Sequence, residues 1–295
     1  MPLFLIDTIS RDATISFPML GDLTLDPPVS FSLFGFPIYF YAVLIVCGFL
    51  LAMLYCSRRA PAFGIRPEDF FPDMMLWLLP IVIVGARAYY ILFRLDYYLA
   101  HPAAMLAIRD GGLAIYGGVI AGFLVVLFFC RRRGISLRAM LDLCVYGLLI
   151  GQIIGRWGNF MNREAFGAQT EIFCRMGLTP PGGETVYVHP TFLYESLWNL
   201  IGLIFLIVWE RRGRRRYDGQ CALIYFFWYG LGRAWIEGLR TDSLYIGGTG
   251  LRVSQLLSLV LCLGALIVLI VQSRRAHSPR ELYVNRNLKK TENEN

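Results

Sequence analysis

Seven apolar runs, at about 38–57, 72–93, 112–130, 138–158, 191–209, 219–238 and 251–271, limit this chain more than any other feature. Each is close to the roughly 20 residues a helix needs to cross a bilayer. Only 17% of the 295 residues are charged, while 56% are hydrophobic. Backbone polar groups in lipid must be satisfied within the chain, which helices do and open sheets do not. The expected fold is therefore an all-α polytopic membrane protein with seven transmembrane helices.

The net charge of +7 raises the question of nucleic acid. The basic residues answer it by lying in short runs between apolar segments: Arg58 and Arg59, Arg131 to Arg133, Arg211 to Arg216, and Arg274 with Arg275. Alternate connections carry 18 Lys and Arg on one side and 6 on the other. Cytoplasmic loops are the basic ones, so the N-terminus is expected outside and the C-terminus in the cytoplasm, with no nucleic-acid partner. The first 37 residues hold Asp7, Asp12, Asp22 and Asp26, unlike a basic signal-peptide start, so the first run is expected to remain a membrane helix. Seven cysteines without a C-x-x-C pair read as packing residues, and neither a metal nor a cofactor is expected.

The connections sort into pieces. Val29-Ser30-Phe31-Ser32-Leu33 alternates and reads as a short strand or an interfacial segment. Residues 159–190, rich in Gly, Pro and Thr, are expected to form a small outer cap with a hairpin around Pro180-Pro181-Gly182-Gly183. Residues 1–275 read as one transmembrane domain, and 276–295 as a polar, disordered cytoplasmic tail. In the fourth run Gly147, Gly151 and Gly155 fall on one stripe, suited to close helix approach.

Polar residues then mark a site. Arg87, Arg156 and Arg233 lie inside spans, all within about 9 Å of the outer boundary at ~1.5 Å rise per residue. Ionisable groups at such depth are costly and point to function. Tyr41, Tyr116, His189 and Glu195 occur at similar depth, and Tyr225, Tyr229, Arg233 and Glu237 form a helical stripe. Structural ion pairs are the plain alternative for each arginine, Arg233 with Glu237 for example. A cluster of guanidiniums suits phosphate, whose oxygens accept two parallel hydrogen bonds from one fork. At this depth the bilayer offers phosphate as phospholipid headgroup. A secondary transporter would show midplane sites and inverted repeats, which are not evident. The intramembrane carboxylates Asp142 and Glu195 look isolated, unlike the carboxylate cluster of a metal-dependent phosphotransferase.

The stretch Gly155-Arg156-Trp157-Gly158-Asn159-Phe160-Met161-Asn162-Arg163-Glu164-Ala165-Phe166-Gly167 resembles the G-R-x-G-N-F-x-N-x-E-x-x-G pattern of bacterial phosphatidylglycerol–prolipoprotein diacylglyceryl transferases. Gly85-Ala86-Arg87-Ala88-Tyr89-Tyr90, Gly111 to Gly118, His189-Pro190-Thr191 with Tyr194-Glu195, Tyr229 to Arg233 with Glu237 and Arg240, and Ser254-Gln255-Leu256 extend the likeness over about 38–258.

The resemblance implies transfer of a diacylglyceryl group from phosphatidylglycerol to the lipobox cysteine of a prolipoprotein signal peptide, releasing glycerol phosphate. It places the enzyme in the bacterial cytoplasmic (inner) membrane, with its site toward the outer leaflet. By the same likeness Arg156, Arg233 and Glu164 are candidate catalytic residues, and Tyr116 is a fourth candidate because it stands where the likeness would place a histidine. Asn159, Tyr41, Arg87, Tyr229, Gly167, Asn162, His189, Glu237 and Arg240, with Arg156, are the candidate substrate-binding residues. Many members read H-G-G in the third helix where this chain has Tyr116-Gly117-Gly118. A phenol of ordinary pKa, near ~10, is a poor base for a thiol at neutral pH. The competing reading is a phospholipid-binding or lipid-moving membrane protein that uses the same arginines without chemistry.

Overall fold

The computed structural model describes residues 12–21, 23–108, 111–241 and 252–286. Among these, six helices are long and apolar enough to cross a membrane: Phe40–Phe63, Pro72–Leu92, Ile115–Arg133, Leu137–Asn162, Thr191–Arg211 and Val253–Ser273. Their leucines, isoleucines and valines are largely exposed, the pattern of helices whose outward solvent is lipid. The chain is a polytopic helical membrane protein. The expected sixth span forms a helix of only 17 residues, Gln220–Ile236, continued by a 3-10 turn at Glu237–Leu239.

Two compact units divide the chain. The first comprises Met1–Ala52, Val145–Arg215 and Gln220–Ala276. It opens with strands β1 (Thr14–Phe17), β2 (Leu23–Leu25), β3 (Ser30–Leu33) and β4 (Phe36–Tyr39), and β4 leads directly into helix α1 (Phe40–Arg59). The second unit comprises Met53–Cys144, Arg216–Gly219 and His277–Asn295. It holds α2 (Met75–Leu92), the short α3 (Leu95–Ala100) and α4 (Ile115–Arg133). Helix α5 (Leu137–Asn162) begins in this unit and ends in the first. Then follow β5 (Met176–Thr179), β6 (Val186–Val188), α6 (Thr191–Arg211), α7 (Gln220–Ile236) and α8 (Val253–Ser273), all in the first unit.

In the first unit the expected hairpin forms as β5 and β6, turning at Pro180–Gly183. It does not stand alone. β1 pairs with β5, giving an antiparallel sheet of order β2-β1-β5-β6. Under it Ile15, Leu178, Val188, Met176 and Phe166 pack on Phe160 from α5 and Phe192 from α6. This core seats the cap on the helix ends that carry the polar residues.

The glycine stripe of α5 admits α1. A Cβ on Gly48 would lie 3.6 Å from the Gly151 Cα, and one on Gly158 would enter the Tyr41 ring at 2.6 Å. Helices α6 and α7 are locked by a reciprocal pair. Trp198 Nε1 donates to the Trp228 carbonyl and Trp228 Nε1 to the Trp198 carbonyl, both at 2.9 Å. The two rings stack at 4.4 Å between centroids. Gln255 Nε2 on α8 donates to the Ala234 carbonyl at 2.8 Å, fixing α8 against α7.

In the second unit α2 and α4 cross where Gly85 faces Gly117, so closely that a Cβ on Gly117 would sit 2.4 Å from the Gly85 carbonyl oxygen. Arg66 and Arg133 bind Asp69, and Arg133 also pairs with Asp73. The expectation of a disordered tail is corrected for residues 277–286. Tyr283 donates its backbone N–H to Asp218 Oδ2 at 2.9 Å and its hydroxyl to the Gly134 carbonyl at 3.3 Å. Val284 lies against Gly64, where a Cβ would come within 2.6 Å of the Val284 Cα. The polar composition hid two apolar residues with a seat prepared for them. Residues 287–295 lie outside the described residues.

Candidate active site

The C-terminal turn of α5, the start of α6 and the end of α7 bring their polar residues to one carboxylate. Arg156 Nη2 lies 2.5 Å from Glu195 Oε2, and Arg233 Nη1 lies 2.5 Å from Glu195 Oε1. Arg240 Nη1 approaches the same Oε1 at 3.7 Å. Arg233 Nη2 also pairs with Glu237 Oε2 at 2.7 Å, one turn along α7. Glu195 is therefore the hub of the cluster, although by sequence it looked isolated. The signal that could have found it is its place one turn into a span, at the same end as the arginines. It is 4% exposed and sits three residues before Trp198, so the tryptophan lock that joins α6 to α7 also aligns Glu195 with Arg233.

A second branch runs along α5. Arg156 Nη1 donates to Asn159 Oδ1 at 3.3 Å, and Asn159 Nδ2 donates to Glu164 Oε1 at 2.9 Å. Asn162 Nδ2 reaches the same Glu164 oxygen at 3.3 Å. Glu164 can do this because the chain reverses after Asn162. Its own N–H donates to the Asn159 carbonyl at 3.0 Å, and Arg163 and Ala165 on either side adopt left-handed φ of 52° and 56°. Buried Arg163 ties the reversal down, donating to the carbonyls of Ala13 and Met161 and to Asp26 Oδ1.

Gly167 answers a need for close approach. A Cβ there would meet the His189 Cβ at 2.7 Å and the Leu239 carbonyl at 2.8 Å. Its N–H donates to the His189 carbonyl, and it bridges to Arg240, so the backbones of three site segments meet at this residue. His189 does not cap α6. Its Nδ1 lies 3.5 Å from the Tyr194 hydroxyl, and burial pushes its pKa below the usual imidazole range.

On α7, Tyr229 stacks on Tyr225, whose hydroxyl accepts from Gln152 Nε2 at 2.8 Å. Tyr229, Glu195, Arg233 and Trp198 line a small recess beside the ion-pair hub. Tyr41 packs on Gly158, at the level of Arg156 and Asn159. The first unit thus brings together ten of the expected residues: Arg156, Asn159, Asn162, Glu164, Gly167, His189, Tyr229, Arg233, Glu237 and Arg240.

In the second unit, Arg87, expected at a headgroup, is buried and gives its guanidinium to backbone carbonyls. It donates to Ala104, Met105, Ala107, Gly111 and Gly112 at 2.6 to 3.4 Å. It fastens the segment that leads into α4, at whose first turn Tyr116 stands half-buried.

Among the described residues, Glu195 and Glu237 hold the forks of Arg156, Arg233 and Arg240 in fixed positions, and Arg252 donates to the Glu237 carbonyl. Donors preorganised in this way are the kind that can stabilise a developing negative charge.

A family model described as prolipoprotein diacylglyceryl transferase matches residues 28–271. The chain belongs to this family. Relatives named phosphatidylglycerol–prolipoprotein diacylglyceryl transferase agree along nearly their whole length. The Enterococcus faecalis protein is 44% identical over 269 residues, covering 89% of this chain and 95% of the relative. The Limosilactobacillus reuteri protein is 45% identical over 257 residues, covering 84% and 92%. The Bacillus cereus protein is 39% identical over 274 residues, covering 90% and 100%.

Proposed function

We propose that this transferase moves the diacylglyceryl group of phosphatidylglycerol onto the lipobox cysteine thiol of prolipoprotein signal peptides, the first step of lipoprotein maturation. The observation that carries this reading is the convergence of Arg156, Arg233 and Arg240 on Glu195, at the ends of membrane helices and inside the family's sequence pattern.

In the reaction, sulfur attacks the glyceryl carbon that bears the phosphate ester. A C–S bond forms, the C–O bond breaks, the thiol proton passes to a base, and glycerol phosphate leaves with the electron pair. Arg156 and Arg233 bind the phosphate and stabilise the charge that grows on the departing oxygen. The same cations favour thiolate over thiol. Glu195 and Glu237 hold the two forks in position before lipid arrives, with Arg240 joining at the hub. Asn159 and Tyr229 orient headgroup oxygens. Glu164 and Tyr116 are the groups proposed to handle the thiol proton, Glu164 first because Asn159 links it to Arg156. Tyr41, Asn162, Gly167 and His189 shape the wall, and Arg87 serves by holding the segment before α4.

In this reading seven helices span the bacterial inner membrane, the short α7 being the sixth in chain order. The N-terminus and the cap lie outside, the basic loops and residues 276–295 lie in the cytoplasm, and residues 1–275 act as one transferase domain facing the outer leaflet. The excess of Lys and Arg in alternate connections supports that orientation.

Arg156→Ala tests the chemistry. Purified protein in lipid, given phosphatidylglycerol and a lipobox peptide, is expected to add the diacylglyceryl mass to the peptide and release glycerol phosphate. The variant is expected to lose both, by a factor of about 100 or more, the scale for removing one transition-state donor. Membrane insertion should be retained. Unchanged turnover would remove Arg156 from the mechanism. Lipid binding without glycerol phosphate release by the parent would favour a binding or lipid-moving protein.

A further inference from the structure

The β3–β4 hairpin is not used by the site, and it exposes Phe31, Leu33, Phe34 and Phe36 outside the spans. Its register puts Phe31 opposite Ile38 and Leu33 opposite Phe36 on one face. Ser30 opposite Tyr39 and Ser32 opposite Pro37 make up the other. The turn joins them through Phe34 and Gly35, both at left-handed φ, 52° and 82°. Glycine or asparagine takes such a position more comfortably than phenylalanine. Phe34 is nonetheless there and is 92% exposed, with Phe36 at 70%. An aromatic side chain in that position gains nothing from the turn itself, so its use lies in what it touches.

What it touches is indicated by continuity. Between Asp26 and Arg58 there is no charged residue. Helix α1 alone, 20 residues at ~1.5 Å each, is long enough for the hydrocarbon core, so the hairpin is apolar sequence beyond what spanning requires. It is fixed to the helix. The Phe40 N–H donates to the Val29 carbonyl at 3.0 Å, and the Phe31 ring meets the Phe40 ring at 5.3 Å. The apolar face therefore meets α1 at Phe40, on the side of the helix where Cys47 and Leu51 are exposed two and three turns further on. A two-stranded ribbon has open backbone edges and cannot enter hydrocarbon whole. It can lie at the headgroup level with one face in the acyl boundary, where aromatic residues are favoured. No charged group is present to read a peptide.

We propose that the β3–β4 hairpin is an interfacial anchor, lying flat on the bilayer with Phe31, Leu33, Phe36 and the Phe34 tip in the acyl–headgroup boundary. The anchor fixes the depth of α1, and with it Tyr41, two residues past β4 and packed on Gly158 beside Arg156. The lipid contact stands by itself. Its consequence, keeping the arginine cluster level with the lipid phosphate, rests on the proposed transferase reading.

The test uses the full chain in nanodiscs of phosphatidylglycerol and phosphatidylcholine brominated near the carbonyl end of the acyl chain. Phe34→Trp adds one reporter to the native tryptophans, read by difference against the parent. Its added emission is expected to be blue-shifted, quenched by bromolipid and shielded from acrylamide. Ser32→Trp on the opposite face is expected to show the reverse. Both reporters equally open to acrylamide would overturn the anchor. Shielding of Phe34→Trp that appears only with lipobox peptide would make the hairpin a peptide site instead. These readouts need no activity, so they stand even if transfer is not observed. For the depth argument, Phe34→Glu combined with Phe36→Glu should reduce lipid transfer in nanodiscs while leaving the rate in detergent micelles unchanged. Equal rates in both settings would remove the link between anchor and site.

Discussion

Glu195 carries more of the site's electrostatics than any single arginine. Three guanidiniums face it, two of them at 2.5 Å, and its side chain is almost fully buried. Removing one partner from a buried charge set leaves the others uncompensated, which costs more than the pair contributes net. Glu195→Gln is nearly isosteric, so the shape of the recess it lines with Trp198 and Asn199 should survive. The expected loss is on the order of 3 kcal/mol in thermal unfolding of the detergent-solubilised protein. Because the missing charge is an anion's, inorganic phosphate should restore stability to the variant more than it stabilises the parent. Equal stabilisation of both by phosphate would separate Glu195 from the anion site. The arginines were legible in the sequence because charge inside an apolar run stands out by itself. The hub was not, since Glu195 gains its role only when α6 is aligned with α7, through Gly202, Gly232 and the paired indoles of Trp198 and Trp228, and with α5, through Ser196, which accepts from Trp157 Nε1 and donates to the Ile153 carbonyl.

At the scale of an element, the reversal from Asn159 to Gly167 is where local sequence and local conformation disagree. The glycine at its end makes room for neighbours, while the left-handed positions fall to Arg163 and Ala165. An L-residue with a side chain pays about 1–2 kcal/mol to sit there. The compensation at Arg163 is its buried guanidinium, held by Ala13, Met161 and Asp26. The segment before α1 therefore braces the turn that presents Glu164 to Asn159 and Asn162. Arg163→Gly removes the brace and also relieves the backbone, so the fold should persist. Turnover should fall about tenfold or more as the turn loosens, the scale of effect that small misplacements produce. In a Glu164→Gln background the same substitution should add little, because its effect passes through Glu164. Full additivity in that double-mutant comparison would mean Arg163 acts elsewhere. The helical elements were readable from apolar runs to within a few residues, since each run reports its own burial in lipid. The sheet was only half readable. The β5–β6 hairpin announces itself by Pro180-Pro181-Gly182-Gly183, whereas β1 pairs with β5 across some 160 residues of sequence and no local signal encodes that.

For the molecule as a whole, composition dictates a helical membrane protein, and the polar remainder decides what holds its loops. The C-terminal segment illustrates how composition misleads at that level. Residues 276–295 are polar enough to read as disordered, yet Tyr283 and Val284 are seated among loops that follow α1, α4 and α6, at Gly64, Gly134 and Asp218. Gly64 is the informative partner, with φ of +74° and no room for a Cβ beside Val284. Gly64→Ala should then carry two separable costs: about 1 kcal/mol for the left-handed backbone, and a second for displacing the docked segment. Truncation after Ser278 removes the segment, and with it the second cost. Thermal unfolding of the four proteins, parent, Gly64→Ala, truncated and truncated with Gly64→Ala, measures the coupling. The substitution is expected to lower the melting temperature more in the full chain than in the truncated one. Truncation by itself should also lower it, because the hydrogen bonds to Asp218 and Gly134 are lost. If Gly64→Ala cost the same in both chains, the seat at Gly64 would contribute nothing to holding the segment, and the docking would rest on Tyr283 alone.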